Sequence, residues 1–275
     1  MKPRKTPRFS YIAVLTSSFC SLPAFGAFSI LIDYTGPAQF EQEIRDAADI
    51  WESLVTGYQD GTVTARSAGS SFMTGQVVDT LFITADLSAI DGAGGTLGSA
   101  GPNEIAIDSA GFTLATDGQM TFDSADIMNL SLSEREALFL HEMAHVMGFG
   151  TLWNNNGVYV DGSGEYTGAG GTEFWQSEFG QMGTPDVELA GGPGTADGHW
   201  NEVDLGSANT GITDGQGRDL RFEVMTGWLN SGPQLFVSNM TLGSFEDIGF
   251  TTVVPEPSSS LLLAASGLLL LRRRR

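Results

Sequence analysis

Residues 140–150 read LHEMAHVMGFG, and this stretch decides how the rest of the chain is interpreted. His141 and His145 are four positions apart, which places both on the same face of an α-helix, about 6 Å from each other. Two imidazoles so placed can bind one metal ion, and Glu142 directly follows the first of them. The flanking residues are mostly apolar, so we expect a buried helix, in which paired imidazoles need a partner such as a metal.

The sequence also predicts where this helix begins and ends. Ser131 with Glu134, or Ser133 with Glu136, offers a capping box at its start. Gly148 supplies the stop, because glycine tolerates the left-handed conformation at the position after a helix. The helix should therefore begin near Ser133 and end just before Gly148, with both histidines in its last two turns.

A third metal ligand is expected far along the chain. The sequence has three histidines, and the one outside the helix is His199. A catalytic zinc site has three protein ligands and an open position for water, so His199 is the predicted third ligand of a Zn²⁺ ion. Aspartates and glutamates between 161 and 197 are alternatives. Residues 161–165, Asp-Gly-Ser-Gly-Glu, hint at a Ca²⁺ loop but lack the glycine and glutamate expected at its sixth and twelfth positions.

Residues 1–27 have the composition of a secretory signal peptide. Four basic residues precede a short apolar run and then small residues, with cleavage expected near Gly26 or Ala27. An anchoring helix is less favoured, because the apolar run is short and interrupted by serine and proline. Cys20 is the only cysteine and lies in this segment, so the exported protein would contain no disulfide bond.

Residues 253–275 resemble the PEP-CTERM sorting signal of exported bacterial proteins. Pro255-Glu256-Pro257 precedes an apolar run at 261–271 and four arginines at 272–275. The resemblance implies a Gram-negative bacterium, an exosortase-type enzyme as partner, and transient contact with the inner membrane. The arginines would keep the tail on the cytoplasmic side of a membrane-inserted helix. A plain tail anchor is the alternative.

The body between these ends is strongly acidic. Residues 28–254 contain five arginines, no lysine and 32 acidic residues, a net charge of −27. Nucleic acid is therefore excluded as a partner, and an anionic membrane surface is disfavoured.

Periodicity predicts the remaining elements of the body. Residues 28–34, 77–85 and 103–107 should form strands, 38–54 an amphipathic helix, 92–101 a glycine-rich loop, and 118–123 an edge strand. Residues 151–220 show little periodicity, which is typical of a region that carries function or surrounds a ligand.

The motif His141-Glu142-x-x-His145-x-x-Gly148 resembles the start of the metzincin zinc signature. Most metzincins place the third ligand where this chain has Thr151, a poor zinc ligand. Leishmanolysin-like metzincins instead insert a long segment before a His-Trp pair, which His199-Trp200 resembles. Residues 222–227 resemble the Met-turn of that family, which would put Met225 beneath the zinc, and 235–250 resemble its closing helix.

This resemblance implies an α+β, zincin-like fold. Its N-terminal subdomain would hold a twisted mixed sheet, a backing helix and the active-site helix, and its irregular C-terminal subdomain would end in a helix. The expected organisation is a signal peptide at 1–27, subdomains at 28–150 and 151–252, and a sorting tail at 253–275. Many eukaryotic members have disulfides and a pro-segment with an inhibitory cysteine, and the body of this chain has no cysteine.

The expected function is a secreted or cell-surface zinc endopeptidase acting on a protein or peptide substrate. Glu142 would act as general base toward water at the zinc and then protonate the leaving amine. The substrate would extend along the edge strand predicted at 118–123. Two alternatives are a non-catalytic surface or matrix protein that retains a zincin fold, and a hydrolase that acts on another bond or uses a carboxylate as third ligand.

Overall fold

The computed structural model describes residues 28–230 and 235–254, so the predicted signal peptide and most of the sorting tail lie outside it. The strands are β1 (Ser29–Tyr34), β2 (Val55–Tyr58), β3 (Val63–Arg66), β4 (Thr80–Ser88), β5 (Gly98–Asp108), β6 (Thr113–Asp123) and β7 (Phe250–Thr252). The α-helices are α1 (Glu41–Leu54), α2 (Leu132–Met147), α3 (Ala169–Ser177) and α4 (Asn239–Asp247). Short 3₁₀ turns occupy Ala38–Phe40, Ile127–Asn129 and Leu220–Phe222.

Five strands form one twisted mixed sheet in the order β1-β4-β6-β5-β3. Neighbours β1, β4 and β6 run parallel, while β5 is antiparallel to both β6 and β3. Helices α1 and α2 bury their apolar residues against the sheet and against each other, and the indole of Trp51 on α1 donates to the carbonyl of Leu140 on α2 at 3.0 Å. The predicted α+β class with a mixed sheet is therefore confirmed.

The prediction of an edge strand at 118–123 is wrong. These residues belong to β6, which pairs with β4 on one side and β5 on the other. The glycine-rich residues 98–101, expected in a loop, form the start of β5 and pair with β6 through their backbones. Glycine has low strand propensity, but its backbone groups can still complete a ladder when a partner strand is present.

The first half of β5 is a free edge of the sheet, in addition to the end strand β1. Strand β3 pairs with β5 only at Ala106–Asp108, and Ser67 continues that contact to Ile105. Along the described chain, no strand lies on the outer side of residues 98–103. This stretch therefore offers backbone groups to another extended chain.

One glycine allows α2 to lie close to the sheet. A Cβ atom at Gly118 of β6 would lie 2.4 Å from Cγ1 of Val146 on α2 and 2.6 Å from the carbonyl oxygen of Gly101 on β5. Any larger residue would push the helix away from the sheet, and with it both helical histidines.

Residues 151–230 contain little regular structure beyond α3, and buried or half-buried carboxylates supply many of their hydrogen bonds. Such carboxylates accept from backbone N–H groups that no strand or helix satisfies. Asp219 accepts from residues 210, 211 and 221, Asp247 from 170 and 171, and Glu202 from 228. Part of the acidic excess is therefore internal and structural.

The chain's second half packs back onto its first half. Strand β7 pairs antiparallel with β2, and Phe245 of α4 packs edge-on against Trp51 of α1. The ring of Trp200 packs against Trp153 and Tyr166, and against Phe149 just after the end of α2, to form an aromatic cluster. Among the described residues, no helix is long and apolar enough to cross a membrane, and the predicted membrane segment at 261–271 lies outside them.

Candidate metal centre

Helix α2 positions the first two histidines by local signals. The hydroxyl of Ser131 accepts from the N–H of Glu134 at 3.4 Å, and the Glu134 carboxylate accepts from the N–H of Ser131 at 2.8 Å. Of the two capping boxes considered, the structure therefore uses the first, and α2 begins at Leu132. Gly148 ends it with φ 118°, in the left-handed region.

The structure brings all three histidines of the chain together. The Nε2 atom of His145 lies 3.0 Å from that of His141 and 3.0 Å from that of His199, and the latter two are 2.9 Å apart. Tetrahedral zinc with bonds of about 2.0–2.1 Å separates its nitrogen ligands by about 3.3 Å, so the arrangement is close to that of a tris-imidazole zinc site.

Hydrogen bonds on the far side of each ring determine which nitrogen faces the centre of the cluster. The Nδ1 atoms donate to backbone carbonyl oxygens: His141 to Val224 at 2.7 Å, His145 to Phe149 at 2.9 Å and His199 to Thr195 at 2.7 Å. A carbonyl only accepts, so each ring carries its proton on Nδ1 and a lone pair on Nε2. Three lone pairs that face one another repel, and a cation between them removes the repulsion.

Burial keeps these imidazoles neutral. It lowers the pKa of His141 to about 4 and, with help from the nearby His141, that of His199 to about 3. Burial also lowers the pKa of His145 well below its usual value, with the other two rings adding to the effect. Neutral imidazole is the form that coordinates metals, so the cluster is ready to bind one at neutral pH.

His199 reaches α2 because two glycines meet. A Cβ atom on Gly150, whose φ is 72°, would lie 2.4 Å from the carbonyl oxygen and 2.7 Å from the Cα atom of Gly198. The backbone of His199 is then held by a bond from the Glu188 N–H to its carbonyl at 2.9 Å. On the other side, the N–H of Trp200 donates to the carbonyl of Met225 at 3.0 Å.

Thr151 stands where most metzincins have their third ligand, and the structure gives it another role. Its hydroxyl donates to the carbonyl oxygen of His145 at 2.7 Å, at the end of α2. Within the described ranges, the three histidines form the one group of three or more metal-ligating side chains close enough to share an ion. No carboxylate between 161 and 197 joins it, and calcium binding at 161–165 stays a prediction.

Glu142 follows His141 on α2, and its carboxylate lies at the start of the free edge of β5. It is buried, and burial raises the pKa of its carboxyl group to about 8. A Cβ atom on Gly98, the first residue of β5, would lie 2.6 Å from its Oε1. Gly98 therefore makes room for this carboxylate between α2 and β5.

Met225 is completely buried, and the backbone of its turn binds His141 directly and His199 through the neighbouring residue, Trp200. The carbonyl oxygen of Met225 accepts a hydrogen bond from the N–H of Trp200, the residue after His199. The carbonyl oxygen of Val224 accepts one from the Nδ1–H of His141. Sequence reasoning missed Gly98, Gly150 and Gly198, although their places in glycine-rich segments were visible. It also missed the buried carboxylate of Glu223, for which only the neighbouring Met-turn resemblance gave a signal.

Comparison with known proteins found a match for the C-terminal tail of the chain. Residues 253–275 match the PEP-CTERM protein-sorting motif, which confirms the sorting tail over the predicted range. No curated protein matches the chain. The PEP-CTERM motif is recognised by exosortase-type enzymes and indicates export in Gram-negative bacteria, so the chain is an exported protein with a sorting-enzyme partner.

Proposed function

We propose that this protein is an exported zinc-dependent endopeptidase of the leishmanolysin-like metzincin type, acting at the cell surface or outside the cell. One observation carries the proposal: three neutral imidazoles direct their Nε2 atoms at one point, 2.9–3.0 Å apart, and Glu142 directly follows the first of them on α2. The His199-Trp200 pair, the buried Met225 and the closing helix α4 support the leishmanolysin-like assignment.

His141, His145 and His199 would hold the zinc ion. When bound, zinc supplies Lewis acidity that polarises a carbonyl group and lowers the pKa of water to near 7. Glu142 accepts a proton from the attacking water and returns it to the leaving amine, which is the work of a general base and then a general acid. The carboxyl group of Glu142 would have a lower pKa with a dication held by the histidines, which would favour the ionised form that a base requires.

The free edge of β5 is the proposed place for the substrate backbone. Residues 98–103 have unpaired outer backbone groups, and their first residue, Gly98, lies against Glu142. A peptide added as a further strand there would pass directly by the proposed general base. Recognition through backbone groups suits a protein or peptide substrate and requires an extended segment.

Exchange of the general base tests this function. Glu142→Gln keeps the shape of the side chain, so the protein should retain zinc while casein cleavage falls about 10²–10⁴-fold. Glu136→Gln, an exposed change on the same helix, should leave cleavage unchanged. Equal cleavage by Glu142→Gln and wild type would overturn the mechanism, as would activity that persists after a chelator has removed the metal.

A non-catalytic surface or matrix protein is the second candidate, because the sorting tail and the acidic, glycine-rich body also suit that role. This candidate requires that wild type bind zinc and cleave no unfolded protein. The same casein assay therefore separates the two functions.

A further inference from the structure

A buried carboxylate, Glu223, lies where the irregular half of the molecule meets the histidine cluster. The residue is 1% exposed and directly precedes Val224, whose carbonyl oxygen receives the Nδ1–H of His141. None of the ion pairs among the described residues includes it. A buried carboxylate without a cation depends on hydrogen-bond donors.

Four donors surround this carboxylate. Its Oε1 accepts from the N–H and hydroxyl of Ser238, both at 2.9 Å, and from the hydroxyl of Thr241 at 2.6 Å. Its Oε2 accepts from the N–H of Met225 at 2.5 Å. Only the ionised carboxylate accepts all four hydrogen bonds, because a proton on either oxygen would point at a group that also donates.

The direction of each bond is fixed by its neighbours. The Thr241 hydroxyl accepts from the indole N–H of Trp200 at 2.9 Å, so its own proton goes to Glu223. The Ser238 hydroxyl accepts from the N–H of Thr241 at 3.1 Å and has Glu223 Oε1 at 2.9 Å as its nearer acceptor, with the Thr241 hydroxyl at 3.3 Å. The network therefore gives every donor around the carboxylate an acceptor.

Two of the three histidines depend on this network. By holding the N–H of Met225, Glu223 fixes the turn whose Val224 carbonyl orients the ring of His141. Through Thr241, the carboxylate also fixes the indole of Trp200, the residue that follows His199.

We propose that Glu223 is a positioning residue for the metal centre, acting on His141 through the Val224 carbonyl and on His199 through Thr241 and Trp200. The inference rests on the proposed zinc site and adds the group that positions His141 and His199 relative to each other. Loss of a group that orients metal ligands typically lowers metal affinity about 10–100-fold.

The test is the zinc affinity of Glu223→Gln in the full chain, measured by competition with a chelator, together with the absorption spectrum of the Co²⁺-substituted protein. The amide sets a donor against one of the four donors, so the zinc Kd should rise about 10–100-fold and the Co²⁺ bands should shift. Glu178→Gln is the matched control. Glu178 accepts from the N–H of Met240 on α4, the helix that carries Thr241, and it interacts with the charge of Glu223 without joining its hydrogen bonds. The zinc Kd of this variant should therefore stay at the wild-type value.

A second pair of variants covers the case in which Glu223→Gln does not fold. Thr241→Val removes the hydroxyl between Trp200 and Glu223, and Thr241→Ser keeps it. The valine variant should weaken zinc binding and the serine variant should restore it. A zinc Kd within about twofold of wild type in the folded valine variant would overturn the inference. If wild type itself bound no zinc, the proposed function would fail first.

Discussion

The two parts of the histidine cluster are built in different ways. His141 and His145 are held by one helix, in which spacing, cap and stop are encoded within about 20 residues. His199 is held by a loop, and its position depends on a glycine contact, on backbone bonds from distant residues and on buried carboxylates. A helix tolerates many local changes because its geometry is regular, whereas the loop has few redundant contacts. Substitutions on the loop side should therefore damage the metal site more.

The largest effect is expected at the glycine contact between the two parts. Gly150→Ala sets a methyl group 2.4 Å from the Gly198 carbonyl oxygen at a φ of 72°. We expect a loss of about 2–4 kcal/mol in unfolding free energy from strain and overpacking, measured by urea denaturation, and loss of most bound zinc.

Gly157→Ala is the matched control for that change. Gly157 has a φ of 70°, and an added Cβ atom there would meet nothing within 4 Å. Gly157→Ala should lower the unfolding free energy by backbone strain alone, about 1–2 kcal/mol, and leave zinc binding unchanged. Equal zinc loss in both alanine variants would show that the Gly150–Gly198 contact is not what positions His199.

A comparable substitution on the helix side should be milder for the metal. Gly118→Ala presses on Val146 and should cost about 1–3 kcal/mol in unfolding free energy. His141 and His145 should then move together on one rigid helix, so the zinc Kd should rise less than in Gly150→Ala. Gly215→Ala, where a methyl group would meet no atom within 4 Å, serves as the neutral control. A larger zinc loss in Gly118→Ala than in Gly150→Ala would contradict the comparison.

The carboxylates of the irregular half should make its stability sensitive to pH. Burial first, with help from the charge of Glu223, raises the pKa of Glu178 from 4.5 to about 7. The folded state then binds this proton more tightly than the unfolded state, so the contribution is present below about pH 4.5 and is lost as pH rises through about 7.

Glu178→Gln should remove that dependence. Relative to this variant, wild type should lose about 1–2 kcal/mol of unfolding free energy between pH 4.5 and 8, after a discount for partial exposure to solvent. Denaturation curves at several pH values measure the difference. Curves that stay parallel for the two proteins would contradict it.

The smallest effect is expected at the helix cap. Ser131→Ala removes the capping hydroxyl of α2 and should lower the unfolding free energy by about 1 kcal/mol, with zinc content unchanged. Ser133 is two residues after the cap, and its hydroxyl contacts that of Ser131 at 3.2 Å. Ser133→Ala leaves the capping bond in place and should change the unfolding free energy by less than about 0.5 kcal/mol. Thermal unfolding of the two variants provides the test, and equal shifts would mean that the capping box does not stabilise the helix.

Sequence patterns predicted what is local. The capping box at Ser131, the stop at Gly148 and the helical spacing of His141 and His145 all depend on neighbours within a few turns. The prediction that His199 would lie near them rested on counting histidines and on the resemblance of His199-Trp200 to a family motif.

The features that sequence patterns did not predict depend on distant contacts. The first turn of helix α3 contains Gly170 and Gly171, which disfavour helix, yet their N–H groups donate to the Asp247 carboxylate at 2.8 and 2.9 Å. Gly170 also lies against Gly243 of α4, because a Cβ atom added at Gly170 would lie 2.5 Å from the carbonyl oxygen of Gly243. In the same way, residues 98–101 become a strand only because β6 is beside them.

The zinc content of His199→Ala tests the central claim most directly. Wild-type full chain should carry about one zinc per molecule by elemental analysis, and His199→Ala should carry almost none while keeping its circular dichroism spectrum. Full zinc occupancy in the alanine variant, or no zinc in wild type after purification with zinc present, would contradict a metal site shared by the helix and the loop.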